Sequence, residues 1–143
     1  MNSNKTSSTL RILLVEDNAH DRLAFRRALQ KGQLSCEITE CVRAEEALEC
    51  IRSDSLSFNL LVVDHGLPGI SGLELCKELL DAGTPLPLVI LTGEGSQQLA
   101  VEALKAGVYD YIIKDPMRDY LALLPVVLPD VVRRHGERLA REK

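Results

Sequence analysis

Four short apolar runs in this chain end in residues that can take part in chemistry, namely Glu16-Asp17, Asp64, Thr92 and Lys114. Three carboxylates brought to one place repel one another unless a cation lies among them, and a ligand set made only of oxygen favours Mg²⁺ over softer metals. An aspartate carboxylate can attack phosphorus and form an acyl phosphate, so Asp64 is a candidate nucleophile. The ammonium of Lys114 and the hydroxyl of Thr92 would then hold oxygens of the incoming phosphoryl group. The residue types therefore point to phosphoryl chemistry assisted by magnesium.

The element that must position Asp64 is a strand followed by a tight turn. Residues 60–63 are apolar without a polar break, which is typical of a strand that is buried on both faces. Glycine and proline then recur over residues 66–69 and predict a turn, after which Ser71 is placed to cap a helix. The pattern predicts that Asp64 lies at the mouth of a sheet.

The rest of the chain repeats this succession of strand, polar terminus, turn and helix. The five predicted strands cover residues 12–15, 36–41, 60–63, 88–92 and 109–114. The second of them alternates between apolar and polar residues, which predicts a strand at the edge of the sheet. Strands that alternate with helices indicate an α/β domain whose parallel sheet is covered by helices on both faces. Because ligands bind beyond the carboxyl ends of such strands, the four polar termini are expected to share one edge.

Size and charge limit the function classes that the chain can serve. A length of 143 residues with 45% hydrophobic residues suits one domain with its own core. A net charge of -4 with scattered Lys and Arg argues against direct nucleic-acid binding, and no apolar run has the length of a membrane span. The four cysteines fit no zinc or redox spacing, and no apolar signal region opens the chain. We therefore expect small buried thiols and a reducing cytoplasm.

The ends of the pattern predict the domain boundaries. Residues 1–9 are polar and lack periodicity, which predicts a disordered tail, and the α/β domain is expected over residues 10–124. Residues 125–143 are predicted to form a C-terminal helical extension or connector. Because Pro125 and Pro129 interrupt the last helical pattern, we expect a kink or break there and a fresh helix from Pro129 to about Ala140.

Taken together, these motifs resemble the receiver domain of response regulators in two-component signalling. The matching motifs are Glu16-Asp17, Asp64 ahead of the turn at 66–72, Thr92-Gly93, and Tyr111-Ile112-Ile113-Lys114. Each motif alone is weak, but their order and spacing together are specific, and the resemblance covers residues 10–124. It implies a flavodoxin-like fold with a five-stranded parallel sheet in the order 2-1-3-4-5.

The resemblance also implies a role for each residue of the acidic site. Asp64 would be the phosphoacceptor, which takes a phosphoryl group from the phosphohistidine of a kinase. Glu16, Asp17 and Asp64 would hold Mg²⁺ together with the backbone carbonyl of Gly66. Lys114 would pair with the phosphoryl group.

A switch and a set of partners follow from the same resemblance. The hydroxyl of Thr92 would move toward the phosphoryl group and the ring of Tyr111 would turn inward, which repacks the surface of the fourth helix, fifth strand and fifth helix. The expected partners are a sensor histidine kinase or phosphotransfer protein, a downstream effector module or protein, and a second copy bound through that surface. Such a domain is a signalling module and not an enzyme, since it assists only its own phosphorylation and dephosphorylation, and it is expected as the N-terminal part of a larger signalling protein.

Three departures from the family pattern limit what the resemblance implies, namely Asp115 after Lys114, Gly66 where many receivers have a larger polar side chain, and a tail after Leu124 that is longer than the usual fifth helix. Asp115 stands between Lys114 and Pro116, whereas the lysine of receivers is usually followed directly by proline. A phosphatase of the haloacid dehalogenase type would need a second aspartate two residues after the first, and that position is Gly66. No glycine-rich phosphate loop follows the first strand, which argues against nucleotide binding. The main alternative is a protein-interaction module of the same fold that acts without phosphorylation.

Overall fold

A sheet of five parallel strands forms the centre of the computed structural model, which describes residues 9–93 and 97–141. The strands are β1 (Leu10–Val15), β2 (Cys36–Cys41), β3 (Leu60–Asp64), β4 (Leu88–Thr92) and β5 (Asp110–Ile113). They lie in the order β2-β1-β3-β4-β5 and every neighbouring pair is parallel. The predicted fold class and strand order are confirmed. Apart from its last residue, the predicted tail lies outside the described residues.

Among the described residues, five α-helices cover the two faces of this sheet, and a short 3-10 helix, Ser55–Ser57, precedes β3. The α-helices are α1 (Ala19–Lys31), α2 (Ala44–Asp54), α3 (Gly72–Asp81), α4 (Gln97–Ala106) and α5 (Tyr120–Arg141). One buried cluster joins the sheet to α2, α3 and α4, and a second joins it to α1 and α5. Within the described residues, no helix combines the length and the apolar character that crossing a membrane requires.

The burial of each strand agrees with its sequence pattern. Every residue of β3 and of β4 is buried, as their unbroken apolar runs predict. Strand β2 alternates between exposed and half-buried residues until Cys41, and it forms one edge of the sheet as predicted. The two central strands that end in Asp64 and Thr92 are therefore held from both faces.

Helix caps fix where the helices near the carboxyl edge of the sheet begin. The side chain of Asn18 accepts a hydrogen bond from the N–H of Asp21 at the start of α1. At the start of α3, Ser71 and Glu74 form the reciprocal pair of bonds of a capping box. Gly72 lets α3 pass close to β3, because a Cβ at that position would lie 2.6 Å from the backbone oxygen of Asp64.

Helix α5 is continuous through both of its prolines, so the prediction of a fresh helix near Pro129 is wrong. Each proline removes one helical hydrogen bond, but the same turns bury Leu124, Leu128 and Val131 in the core that α5 shares with the sheet. This burial holds the helix together across the interruption. The helix also crosses the predicted boundary between residues 124 and 125 without a break.

Pro125 explains a glycine that the sequence marks only as a helix stop. Gly32 caps the end of α1, yet its backbone has φ -79° and any residue could adopt that conformation. The left-handed residue of this turn is Gln33, with φ 57°. A Cβ on Gly32 would lie 2.4 Å from Cγ of Pro125, so the glycine is required for the contact between α1 and α5.

Candidate functional site

The carboxyl edge of the sheet brings together the predicted chemical residues. Glu16 follows β1, Asp64 and Thr92 are the last residues of β3 and β4, and Lys114 follows β5. The ammonium of Lys114 donates to Oδ1 of Asp64 over 2.9 Å and to Oε1 of Glu16 over 3.1 Å. Parallel strands account for this convergence, since all of their carboxyl ends meet at the same edge.

Three carboxylates at this edge lie close enough to share one cation. One oxygen each from Glu16, Asp17 and Asp64 lies within 4.8 Å of the others. Glu16 is only 2% exposed and Asp64 only 7%, whereas Asp17 faces solvent. An all-oxygen set with an open side suits a hard divalent ion that keeps part of its water, so the residues present fit Mg²⁺.

The environment of Glu16 reflects the crowding of negative charge. Burial first and the neighbouring carboxylate of Asp64 second raise the pKa of Glu16. The N–H of Asn18 donates to its Oε2 over 3.1 Å, which opposes that rise, and Arg22 donates to its backbone oxygen over 2.8 Å. A bound cation would relieve the repulsion that raises this pKa.

Lys114 is the positive centre of the site. Its ammonium contacts three carboxylates, because Asp21 accepts over 2.9 Å in addition to Asp64 and Glu16. Burial alone lowers the pKa of Lys114, but the hydrogen bonds to Asp64 and Asp21 outweigh it and hold the pKa well above its ordinary value. Lys114 therefore stays charged over the whole physiological range.

Asp21 belongs to this site although the sequence patterns do not mark it. It lies in the first turn of α1, where an acid is expected simply because it complements the helix dipole. In the structure its Oδ2 accepts from Lys114 and its Oδ1 accepts from Arg118 over 2.9 Å. The only available signal was its spacing of one helical turn from Asp17, which puts both near the same end of α1.

The turn after β3 fixes the carboxylate of Asp64. The N–H of Gly66 donates to Oδ2 of Asp64 over 3.1 Å, while Lys114 occupies Oδ1. The turn itself is held by the N–H of His65, which donates to the backbone oxygen of Leu91 over 2.8 Å. Both oxygens of Asp64 are thus directed before any partner arrives.

The two residues of the predicted switch lie on neighbouring strands. Thr92 is buried at the end of β4, and its backbone oxygen accepts from the N–H of Lys114 over 2.7 Å. Tyr111 is half-buried on β5 opposite Ile90 and packs against the cluster that α2, α3 and α4 form with the sheet. Thr92 ends the strand that pairs with the strand of Asp64, and the switching role of the two residues stays a prediction.

Asp115, the departure from the family pattern, organises the connection between β5 and α5. Its two carboxylate oxygens accept from the N–H groups of Asp119 and Tyr120 over 2.9 and 2.8 Å. These two hydrogen bonds lower the pKa of Asp115, and the bond from Asp119 contributes most. Its backbone oxygen accepts from the N–H of Arg118, which adopts the left-handed region with φ 62°. No cis peptide bond occurs in the described part of the chain.

Comparisons with known sequences give the site its context. The family model of the response regulator receiver domain matches residues 12–123. The two-component response regulator PhoP of Pseudomonas aeruginosa is 40% identical over 106 residues, which is 73% of this chain and 45% of PhoP. The response regulator MprA of Mycobacterium avium is 34% identical over 134 residues, which is 94% of this chain and 53% of MprA. The chain thus spans about half the length of these curated relatives.

Solved structures agree on the fold. A response regulator receiver domain protein from Clostridium thermocellum superposes with a TM-score of 0.73 at 19% identity, covering 94% of this chain and 99% of its own. The receiver domain of the Francisella response regulator 1452 has a TM-score of 0.75 at 21% identity, covering 87% and 98%. At such identities the likeness speaks for the fold alone. The family match over most of the chain decides the assignment: the chain belongs to the response regulator receiver domain family of two-component signalling.

Proposed function

We propose that Asp64 accepts a phosphoryl group from a histidine kinase or a phosphotransfer protein and that the modified domain changes its affinity for a downstream partner. The observation that carries this proposal is the ammonium of Lys114, 2.9 Å from Oδ1 of Asp64, at the edge of a cluster of three carboxylates. The carboxylate of such a pair can accept a phosphoryl group, and the ammonium can stabilise the negative charge of that group. The domain acts as a signalling module that assists only its own phosphorylation and dephosphorylation.

The transfer requires only one new covalent bond to the protein. A carboxylate oxygen of Asp64 forms a bond to phosphorus, and the bond from phosphorus to the imidazole nitrogen of the donor breaks with its electron pair on that nitrogen. Lys114 then donates to one phosphoryl oxygen, and the hydroxyl of Thr92 donates to another. Catalysis rests on positioning and on charge.

Glu16, Asp17 and Asp64 would hold Mg²⁺, with the backbone carbonyl of Gly66 as a further ligand. When bound, the ion would neutralise the negative charge that gathers as the phosphoryl group approaches the carboxylates. Support for this assignment comes from the oxygen-only donor set within 4.8 Å, and the pKa of Glu16, which burial first and the negative charge of Asp64 second raise, is consistent with it.

We propose that Thr92 and Tyr111 pass the modification on to the surface of α4, β5 and α5. This surface carries exposed apolar side chains that a partner would cover: Val101, Leu104, Ile113, Leu123 and Val126. A second copy of the domain and a downstream effector are the proposed occupants. We place the protein in the cytoplasm, because all four of its cysteines are free thiols that a reducing compartment would preserve.

The proposed organisation has the receiver domain over residues 10–124 and a helical connector over 125–143 that leads to an effector. The length of the relatives supports a larger protein, since this chain spans 45% of PhoP. The exposed second half of α5 carries the charged residues Arg133, Arg134 and Glu137, as a helix that continues into a further module would.

Intact mass spectrometry tests the proposal directly. Incubation with acetyl phosphate and Mg²⁺ should add one phosphoryl group, and Asp64→Asn or a chelator should abolish the addition. Asp54→Asn, on the exposed end of α2, is the matched control and should be modified like the wild type. An unchanged mass in the wild type would reject the proposal and favour the alternative function, a protein-interaction module that acts without phosphorylation.

A further inference from the structure

We infer that Asp21 is a positioning residue of the phosphoacceptor site, which holds the ammonium of Lys114 in the direction needed to meet a phosphoryl group on Asp64. This inference rests on the proposed function of Asp64. It concerns a residue of α1 that the family motifs in this sequence do not include.

The hydrogen bonds of Lys114 account for all of its donors. An ammonium has three N–H donors and no acceptor. Lys114 has one carboxylate for each, with distances of 2.9 Å to Asp64, 3.1 Å to Glu16 and 2.9 Å to Asp21. The orientation of the ammonium is therefore fixed by three points.

Arrival of a phosphoryl group on Asp64 changes one of the three hydrogen bonds of Lys114. The N–H that faces Asp64 must turn to a phosphoryl oxygen, while the other two keep their partners. Glu16 belongs to the acidic cluster that fits Mg²⁺, so its charge is shared with the ion. Asp21 lies outside that cluster as the described residues define it, so it can hold Lys114 before and after transfer without sharing its charge with the ion.

Arg118 keeps Asp21 in place. It donates to Oδ1 of Asp21 over 2.9 Å, so that Oδ2 is the oxygen left to face Lys114. Arg118 is itself directed by a left-handed backbone conformation with φ 62° and by the bond from its N–H to Asp115. The ion pair between Lys114 and Asp21 is partly buried, with side chains 15% and 19% exposed, so it is screened less than a surface ion pair, whereas the side chain of Arg118 is 48% exposed.

The geometry explains how this chain orders the loop after Lys114 without a proline directly behind the lysine. Asp115 occupies that position and caps the start of α5 with both of its oxygens. The bridge from Arg118 through Asp21 then ties the same loop to α1. The site thus depends on a contact between α1 and the loop between β5 and α5.

Phosphorylation kinetics test the inference. With acetyl phosphate and saturating Mg²⁺, Asp21→Ala should slow phosphoryl uptake about tenfold or more, as loss of an orienting partner usually does. Asp21→Asn keeps an oxygen that can accept from Lys114 but loses the charge, so its rate should fall between those of the wild type and Asp21→Ala. Asp81→Asn, an exposed aspartate at the far end of α3, is the control and should leave the rate unchanged.

Coupling to Lys114 separates positioning from a merely structural role. In a Lys114→Met background, adding Asp21→Ala should slow uptake no further, because the group that Asp21 orients is absent. If Asp21→Ala slowed phosphoryl uptake by the same factor in the wild type and in the Lys114→Met variant, the inference would be overturned. Uptake by Asp21→Ala at the wild-type rate would also overturn it, while leaving the proposed function intact.

A spectroscopic measurement needs no phosphorylation. The side-chain ammonium of Lys114 should give a ¹H–¹⁵N correlation in the unmodified wild type, because its protons are held by three carboxylates and exchange slowly. Asp21→Ala should abolish that signal, and its persistence would refute the positioning role. A wild type that shows the signal but takes up no phosphoryl group would instead refute the proposed function, and with it any part of Asp21 in the reaction.

Discussion

Lys114 donates to Asp64 over 2.9 Å, although 50 residues of chain and the whole of β4 separate the two strands that carry them. In the parallel sheet, β4 lies between the two strands, β3 and β5, whose ends carry Asp64 and Lys114. The long side chain of Lys114 reaches over the end of β4, where its own backbone N–H is bonded to Thr92. The contact therefore spans three neighbouring strands of the sheet.

Replacing Lys114 by methionine should affect Mg²⁺ affinity and phosphoryl uptake in opposite directions. Removal of the ammonium leaves Glu16 and Asp64 without a counter-charge, whereas Asp21 keeps its ion pair with Arg118, so Mg²⁺ should bind more tightly. Phosphoryl uptake from acetyl phosphate should fall by about 100-fold, since one donor to the developing charge is lost. Calorimetric titration with Mg²⁺ and timed intact-mass spectra measure the two effects. Weaker Mg²⁺ binding in the variant would contradict the assignment of Lys114 as the counter-charge of the cluster.

Replacing Gly72 by alanine should destabilise the fold by about 1–3 kcal/mol, as other overpacked sites do. The added Cβ would lie 2.6 Å from the backbone oxygen of Asp64 and push α3 away from β3. Gly136→Ala is the matched control, because no atom lies within 4 Å of a Cβ there and the residue is inside α5. That change should stabilise the protein by up to about 1 kcal/mol. Urea denaturation measures both, and a neutral Gly72→Ala would refute the close approach.

The contact between Gly32 and Pro125 should appear as a coupling free energy. Gly32→Ala should destabilise the wild type, because its Cβ would overlap Cγ of Pro125 at 2.4 Å. In a Pro125→Ala background the same change should cost less, by about 0.5–3 kcal/mol as for other residues in contact. Unfolding of the four proteins of this cycle in urea gives the coupling. Strict additivity would mean that α1 and α5 do not pack as described.

Stability should fall at alkaline pH through the buried thiol of Cys76. Burial raises the pKa of Cys76 to about 12 from the ordinary value of 9.0. Below pH 9 both the folded and the unfolded chain keep this proton, so the thiol adds no pH dependence. Between pH 9 and 12 only the unfolded chain loses it, and each pH unit then costs about 1.4 kcal/mol of stability.

The variant Cys76→Ala isolates that contribution. It should lower stability at pH 8 because a buried side chain is shortened, but its stability should fall less steeply from pH 9 to pH 10.5 than that of the wild type. Guanidinium denaturation at each pH provides the comparison. Identical slopes for the two proteins would show that Cys76 ionises as readily in the folded state as in the unfolded chain.

Much of the fold and of the site follows from the sequence because it depends on local pattern. Unbroken apolar runs such as 60–63 and 88–91 are typical of strands that are buried on both faces, and the polar residue that ends each run is then expected at the carboxyl edge. The alternation of strands and helices was sufficient to predict the parallel sheet and its acidic edge, whereas the strand order came from the resemblance to receiver domains. The caps at Asn18 and Ser71 were also predictable, since a side-chain oxygen next to the first turn is a local signal.

Only the tertiary structure decided which helices and loops meet. Asp21 and Arg118 join Lys114 because α1 lies beside the loop between β5 and α5, and no periodicity along the chain encodes that contact. The unbroken course of α5 was decided in the same way: burial of Leu124 and Leu128 outweighs the local penalty of two prolines. Sequence patterns report which residues become buried and where strands end, whereas side-chain partners across elements depend on how the finished layers pack.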